Sequence, residues 1–411
     1  MSGEYDIEGW VADDDVDDET KGDMPFTLDG VTYIKKLGEG GQGKVVLVET
    51  KHGQAALKWE SMPAFLPSWQ DSDMMIEANN LEALGEHPHL IRMIGRGNEV
   101  KGNTRYLYLL LELHEGDLYR WFSDSVYPTK KSIEHMERVH PILFDVDRVR
   151  RHMAVHIGLA LDHLQSKGYI HRDLKPANMG IARDDQPQLR IILCDMGFAR
   201  RIADEKGMLL PVEKRDFKPA TTWTYASPQT LRDKPQYFLD DAITLVFSLV
   251  RDHFINGGHR MFDASSPLHR QMASDEAEFK RNPKRYAFNQ QAMLKEMFLA
   301  DPERFMADLR DEDRPVAPAS LPPWLIALIE SLRELHPESR VDWPRVTGAI
   351  SLEEIEPSHN GEETIERSKR HLSPSLSRSL SSAAKADIDQ FLASSYQNKS
   401  KPVKKPEVVL Y

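Results

Sequence analysis

The 411-residue sequence predicts an α+β fold in two lobes, a small antiparallel sheet with one helix followed by a larger, mainly helical part. Three observations lead there. Short apolar and β-branched runs at 31–34, 45–48 and 55–59 are separated by glycine-rich turns, the pattern of an antiparallel meander. Helical spacing then appears at 72–86. After Gly116 the periodicity is mostly helical, and strands first with helices later imply separate lobes.

Taken in order, residues 1–24 carry ten acids against Lys21 and cannot bury enough apolar surface to fold alone, so a solvated tail is expected. The folded domain is expected over 25–350, with a first lobe at 25–113 and a second at 114–350. Within the first lobe, Met75, Ala78, Leu81 and Leu84 mark the helix, and strands are expected at 90–94 and 106–111. Helices follow at 147–165, 241–252 and 323–335, the last with Pro322 and Pro323 where a helix start favours proline. Ser, Lys and Pro dominate 351–411, which reads as mostly disordered with one short amphipathic helix near 383–392.

Composition narrows the function classes. Formal net charge is −12, and the part between the two tails is itself mildly acidic, a poor surface for nucleic-acid phosphates. A single cysteine, Cys194, rules out an intramolecular disulfide and suits a reducing compartment. The acidic amino terminus lacks the features of a secretory or transit signal, and the apolar run at 242–250 is too short to span a bilayer. A soluble, cytoplasmic monomer is expected, with the tails open to a regulatory partner. The basic run Lys399-Ser400-Lys401-Pro402-Val403-Lys404-Lys405 offers a nuclear import signal as an alternative address.

The chemistry-bearing residues come in a fixed order. Gly38-Glu39-Gly40-Gly41-Gln42-Gly43-Lys44-Val45 fits G-x-G-x-x-G-x-V between two strands, where glycines let backbone N–H groups approach phosphates. Alone it reads equally well as a glycine-rich hairpin. Lys58 lies on the third strand and Glu77 on the following helix; such a lysine can hold α- and β-phosphates while a carboxylate keeps it charged and fixed. Apolar neighbours Leu57 and Ile76 favour a semi-buried pair over two solvated side chains. His171-Arg172-Asp173-Leu174-Lys175-Pro176-Ala177-Asn178 and Cys194-Asp195-Met196-Gly197 complete the set.

With these motifs in this order the chain resembles the eukaryotic-type protein kinases over about residues 30–350. The resemblance implies the bilobal kinase-like fold, ATP as phosphoryl donor and Mg2+, or Mn2+, as metal. It makes Asp173 the base that orients the acceptor hydroxyl, Lys175 the contact to the γ-phosphate, and Asn178 and Asp195 the metal ligands. Lys58 and Glu77 complete the catalytic set. Nucleotide contacts are implied for Gly38, Gly40, Gly43, Val45 and Lys58. Leu111 falls at the gatekeeper position, Glu112 and His114 in the adenine-reading hinge, and Asp117 near the ribose or as a helix N-cap. His171 reads as a packing residue. Thr222 is placed near Asp173 and Lys175, a feature of kinases acting on protein substrates, and Lys175 resembles the serine/threonine class. The insertion at 121–146 and the stretch at 259–320 exceed what the fold needs; Met293, Met297, Phe298, Phe305 and Met306 in the latter read as core.

Four departures stand out. Met196 replaces the usual Phe, which keeps an apolar plug on a more flexible side chain. Gln229 replaces the usual Glu, so its buried pairing with Arg340 becomes neutral and the substrate lobe is expected to loosen. Thr244 and Val246 replace the common Ser and Gly. No Ser, Thr or Tyr lies between Asp195 and Ala220, so Asp204, Glu205, Glu213 or Asp216 is expected to neutralise Arg172 in place of a phosphate. The leading reading is a protein serine/threonine kinase acting on a Ser/Thr hydroxyl of a protein substrate. The alternatives are a catalytically weak pseudokinase serving as a nucleotide-binding scaffold and a small-molecule kinase of related fold.

Overall fold

The computed structural model describes residues 24–40, 43–126, 135, 136, 139, 143, 145–182, 189–215, 222–251, 282–308, 321–348, 350 and 352. The acidic 1–23 segment, Gly41, Gln42, Asp216 and Asp252 lie outside the described residues. So do the tail beyond 352, with its expected helix and basic run, most of 127–144, and 252–281 and 309–320. The chain divides into two compact units, residues 1–122 with 150–351 and residues 123–149 with 352–411. Everything described below belongs to the first unit, apart from the ends of two helices that run into the second.

A five-stranded antiparallel sheet opens the fold. Its strands β1 (Val31–Gly40), β2 (Gly43–Thr50), β3 (Gly53–Pro63), β4 (Met93–Lys101) and β5 (Thr104–Glu112) run in the order β1-β2-β3-β5-β4. Pairing places Val45 opposite Lys58 and Lys58 opposite Leu109, so these three side chains share one face. The other face carries Val46, Val48, Ala55, Leu57 and Trp59, closed over by Phe26, Tyr106 and Tyr108. Helix α1 (Asp73–Leu84) packs Met74 and Ala78 against Leu107 and Leu109, covering the Lys58 face. Its start follows local chemistry: Ser72 Oγ accepts from Met75 N at 3.2 Å as N-cap.

The strand expected at 90–94 begins instead at Met93. Leu90 and Ile91 are buried elsewhere, bridging to Leu193, with Ile91 N donating to Leu193 O at 2.9 Å. The real strand β4 is exposed along its second half and lacks an apolar alternation to betray it. The glycine motif is also more regular than a loop: Gly38 faces Val45 and Gly40 faces Gly43 within the β1–β2 ladder. At Gly43, with φ of 118°, an added Cβ would lie 2.5 Å from Trp59 O, so only glycine fits.

Beyond β5 come β6 (His114–Asp117), α2 (Leu118–Val126), α3 (Val146–Ser166), β7 (Tyr169–Ile170), β8 (Met179–Ala182), β9 (Ile191–Leu193) and β10 (Arg200–Arg201). β6, β8 and β9 form a small sheet that carries the chemical loops at its ends, and β7 pairs with β10. The chain then becomes helical: α4 (Pro228–Leu231), α5 (Phe238–Arg251), α6 (Pro283–Ala300), α7 (Pro302–Asp308), α8 (Pro323–Arg333) and α9 (Trp343–Thr347). α5 is buried nearly all round: Ala242, Leu245, Val246, Phe247, Leu249 and Val250 join the core, and Asp240, Asp241, Thr244 and Ser248 are buried with them. It begins three residues earlier than expected.

Within the 259–320 stretch, Phe298, Phe305 and Met306 are buried as expected of core, whereas Met293 and Met297 are 37% and 40% exposed. They sit four residues apart on α6, on a flank turned away from the core that holds Ala292, Leu294 and Phe298. Among the described residues, no helix is long and apolar enough to cross a membrane.

Candidate active site

The site assembles on loops between short strands, and one aspartate gathers it. Asp173, 3% exposed, receives Lys175 Nζ on Oδ2 at 2.7 Å and Asn178 Nδ2 on the same oxygen at 3.1 Å. Its Oδ1 receives the backbone N–H of Thr222 at 3.0 Å and the Thr222 hydroxyl at 3.1 Å. Lys175 Nζ donates also to Thr222 Oγ1 at 3.0 Å. Burial alone would raise the Asp173 pKa, but the Lys175 ammonium and the bonds from Thr222 hold it below the ordinary carboxylate value. Asp173 is therefore an ionised acceptor at neutral pH.

The loop bearing Asp173 is pinned from below. Asp241, near the start of α5, accepts His171 N on one oxygen at 2.6 Å and Arg172 N on the other at 2.9 Å. Arg172 takes φ of 75°, a conformation unusual for a side-chain-bearing residue, and these two bonds help hold it there. His171 is fully buried: Nδ1 accepts from Asp173 N at 3.3 Å, so the protonated Nε2 donates to Cys194 O at 3.1 Å. The ring thus couples the Asp173 loop to the Asp195 segment as a packing and bridging group.

Opposite, Lys58 Nζ lies 2.7 Å from Glu77 Oε2, with both residues buried. Burial disfavours the Lys58 ammonium, yet the carboxylates of Glu77 and then Asp195 outweigh it and hold its pKa above the usual lysine value. Asp195 has φ of 61°, and its Oδ1 accepts from Gly197 N at 3.2 Å. Asn178 commits its amide nitrogen to Asp173 O at 2.8 Å and to the Asp173 carboxylate, which leaves Oδ1 as the atom that could meet a metal.

The remaining expected contacts are mixed. Gly38, Gly40 and Val45 lie on the β1–β2 ladder, with Val45 buried beside Lys58. Glu112 accepts Arg92 N on Oε1 at 2.9 Å, and the His114 side chain lies against Gly180, where burial lowers its pKa. Asp117 Oδ1 accepts from Arg120 N at 2.9 Å, the N-cap bond of α2. Leu111 pairs with Ala56 and Met93. Cys194 is half-buried behind the site, and burial pushes its thiol well above the ordinary value, so it is a poor nucleophile.

One expectation fails. Arg340 is exposed: its guanidinium sits 5.6 Å from the Phe238 ring and against Gly207. Among the described residues, no hydrogen bond joins it to Gln229; the cation rests on the face of buried Phe238, and a neutral amide offers little to draw it inward. Of the four acids expected beside Arg172, Asp216 lies outside the described residues, and the contacts described for the other three lie elsewhere. Asp204 Oδ1 caps its own turn from Lys206 N and Met208 N, Glu205 lies 3.9 Å from Arg201, and Glu213 is exposed. Arg172 Nε instead donates to Gln236 Oε1 at 2.8 Å.

Two residues of the site are absent from the sequence-based expectations. Asn80 on α1 donates from Nδ2 to Met196 O at 2.7 Å and to Ala199 O at 3.0 Å, tying the Asp195 segment to the helix that carries Glu77. Lys295 on α6 is fully buried beneath residues 223–226. Asn80 could have been suspected from its i,i+3 spacing to Glu77; nothing local marks Lys295.

Comparisons with known proteins agree with this geometry. The family model "Protein kinase domain" matches residues 31–347. The mouse cAMP-dependent protein kinase catalytic subunit PRKX is 23% identical over 282 residues, covering 68% of each chain. Mouse ribosomal protein S6 kinase alpha-2 is 26% identical over 148 residues, 36% of this chain but 16% of that one, so the match spans a small part of this relative. In fold, the structure of vaccinia related kinase 3 is similar at a TM-score of 0.52 and 14% identity, covering 77% of this chain and 86% of that one. A match over residues 31–347, with the Asp173 and Lys58 clusters built on the same span, establishes that this chain belongs to the protein kinase domain family.

Proposed function

We propose that the chain is an ATP- and magnesium-dependent protein serine/threonine kinase. The observation that carries the proposal is the convergence on Asp173 of Lys175, Thr222 and Asn178, a cation, a hydroxyl and a metal-ligand amide around one ionised carboxylate. In this reading Asp173 orients the acceptor hydroxyl and takes its proton, and Lys175 neutralises charge on the transferred phosphoryl group. Lys58, held by Glu77, fixes the α- and β-phosphates beneath Gly38, Gly40 and Gly43. Catalysis comes mainly from positioning and charge neutralisation.

The donor set suits magnesium. Asn178 Oδ1 and the Asp195 carboxylate are hard oxygen donors, and magnesium commonly takes one or two carboxylates together with phosphate oxygens and water. Among the described residues, no group of three or more His, Cys, Asp or Glu could hold a metal by itself. When bound, the metal would neutralise charge across the β- and γ-phosphates. Thr222, whose N–H and hydroxyl both engage Asp173, supports a protein rather than a small molecule as acceptor.

Transfer of label from radioactive ATP to a generic protein substrate, wild type beside Asp173→Ala, tests the proposal. Transfer by wild type alone supports it. Equal incorporation by both would refute the assigned mechanism, and none by either would favour the scaffold reading.

A further inference from the structure

Replacement of the usual glutamate by Gln229 predicts a loosened segment around 222–229, yet the structure anchors that segment by another route. Helix α6 starts at Pro283 with Asn282 as N-cap, accepting from Arg285 N at 3.1 Å, and lies along α4. Phe288 stacks on Trp223 with ring centroids 4.3 Å apart, and Ala292 packs with Ala226 and Leu231. At the rim Arg232 pairs with Glu296, and Arg285 with Asp233 and the Arg232 carbonyl.

Lys295 reaches up through the centre of this contact. Its side chain is fully buried, 0% exposed, and Nζ donates to Thr224 O at 3.0 Å, to Trp223 O at 3.4 Å and to Ala226 O. The same ammonium lies 4.5 Å from the Phe247 ring centre on α5. A lysine has three N–H donors, and one turn of backbone supplies three carbonyls to meet them. The turn itself closes through Tyr225 N to Thr222 O at 2.9 Å, and Thr222 holds Asp173 and Lys175. A continuous chain of bonds thus runs from α6 to the catalytic carboxylate. Burying a cation is costly unless it is held by polar partners, so Lys295 has little freedom to leave these carbonyls.

We propose that Lys295 is a positioning residue that sets the conformation of 222–226, and thereby the register in which a protein acceptor meets Asp173. This rests on the kinase reading above. It supplies through backbone carbonyls the anchorage that Gln229 and the exposed Arg340 do not provide.

The test uses the full chain with Lys295→Met and Lys295→Arg. Three readouts are followed: amide hydrogen exchange of peptides covering 222–231, binding of a fluorescent ATP analogue, and kcat and KM for a generic protein substrate. Lys295→Met should raise exchange at 222–231 and KM for the protein substrate each by about tenfold. Nucleotide affinity should change less than about twofold, and Lys295→Arg, which keeps the charge and donors, should recover part of the loss. Should Lys295→Met not fold, Lys295→Arg beside Lys295→Gln gives the same comparison with at least one donor retained. Unchanged exchange at 222–231, or a rise spread evenly over all the helices, would overturn the assignment. If wild-type protein transfers no phosphoryl group, the kinase reading falls, and the exchange measurement alone still decides the role of Lys295.

Discussion

Asn80 Nδ2 donates to Met196 O at 2.7 Å across 116 residues of sequence, so the helix carrying Glu77 also holds the segment carrying Asp195. Met196 itself is fully buried. Replacing Asn80 by Leu leaves two buried carbonyls, those of Met196 and Ala199, without this donor. The expected cost is about 2–3 kcal/mol of stability, read by urea unfolding, with a fall in phosphoryl-transfer rate. A variant with wild-type stability and rate would show that the amide is dispensable.

The Lys58–Glu77 pair separates stability from chemistry. Glu77→Ala strands a buried ammonium and should cost about 3–5 kcal/mol, whereas the double variant Lys58→Met with Glu77→Leu should regain most of that stability. Activity should be lost in both, since neither presents a fixed ammonium to phosphate. Chemical denaturation paired with the label-transfer assay checks this, and activity in the double variant would contradict the role given to Lys58.

At Asp173, substitution by Asn keeps the shape but removes the charged acceptor, and kcat should fall by about 10²–10⁴-fold. Thr222→Ser keeps the hydroxyl that bridges Asp173 and Lys175 and should stay near wild type. Thr222→Val should raise KM for the protein substrate while leaving nucleotide affinity intact. Steady-state kinetics with the acceptor varied would reveal the opposite pattern if Thr222 served the nucleotide.

A cluster of stacked histidines should lower stability in acid. His87 stacks on His163 at 4.7 Å and His89 on His156 at 4.3 Å, while His152 meets His156 edge-on at 5.1 Å. His156 Nδ1 accepts from Ile191 N at 3.2 Å, which requires a neutral ring. Burial lowers the pKa of His87 to about 4 and of His156 to about 2, with neighbouring histidines adding to the effect. An unfolded chain titrating near the ordinary value of about 6.5 takes up protons that the folded state refuses. Stability should therefore be full above that value and decline as pH falls from about 6.5 towards 4. Thermal unfolding between pH 7.5 and 5 should show a falling midpoint, less steep in His156→Gln; a flat profile would remove the stack from the account.

Much of the site was legible because phosphoryl-transfer chemistry is concentrated in short loops. Asp173, Lys175 and Asn178 lie within six residues, and a loop that brings them together must be written locally. Helix α1 was equally plain from the helical spacing of Met75, Ala78, Leu81 and Leu84. β4 was displaced because Leu90 and Ile91, which look like strand residues, are spent on contacts with Leu193, while the strand itself is polar. Arg340 was misplaced because a family position implied burial, and whether an arginine turns inward depends on the partner it finds there.

The sequence by itself determined the family, the two-part α+β order and the identity and spacing of Lys58, Glu77, Asp173, Asn178 and Asp195. Those depend on local periodicity, turn chemistry and motif spacing, which act over a few residues at a time. Only the tertiary structure decided that Asn80 clamps Met196, that Gln236 engages Arg172 Nε, and that Lys295 takes up the carbonyls of 223–226. Each of these bonds joins residues at least 64 apart in sequence, and which distant groups meet is set by how helices pack on a shared core, where a buried donor must find whatever acceptor that packing leaves beside it.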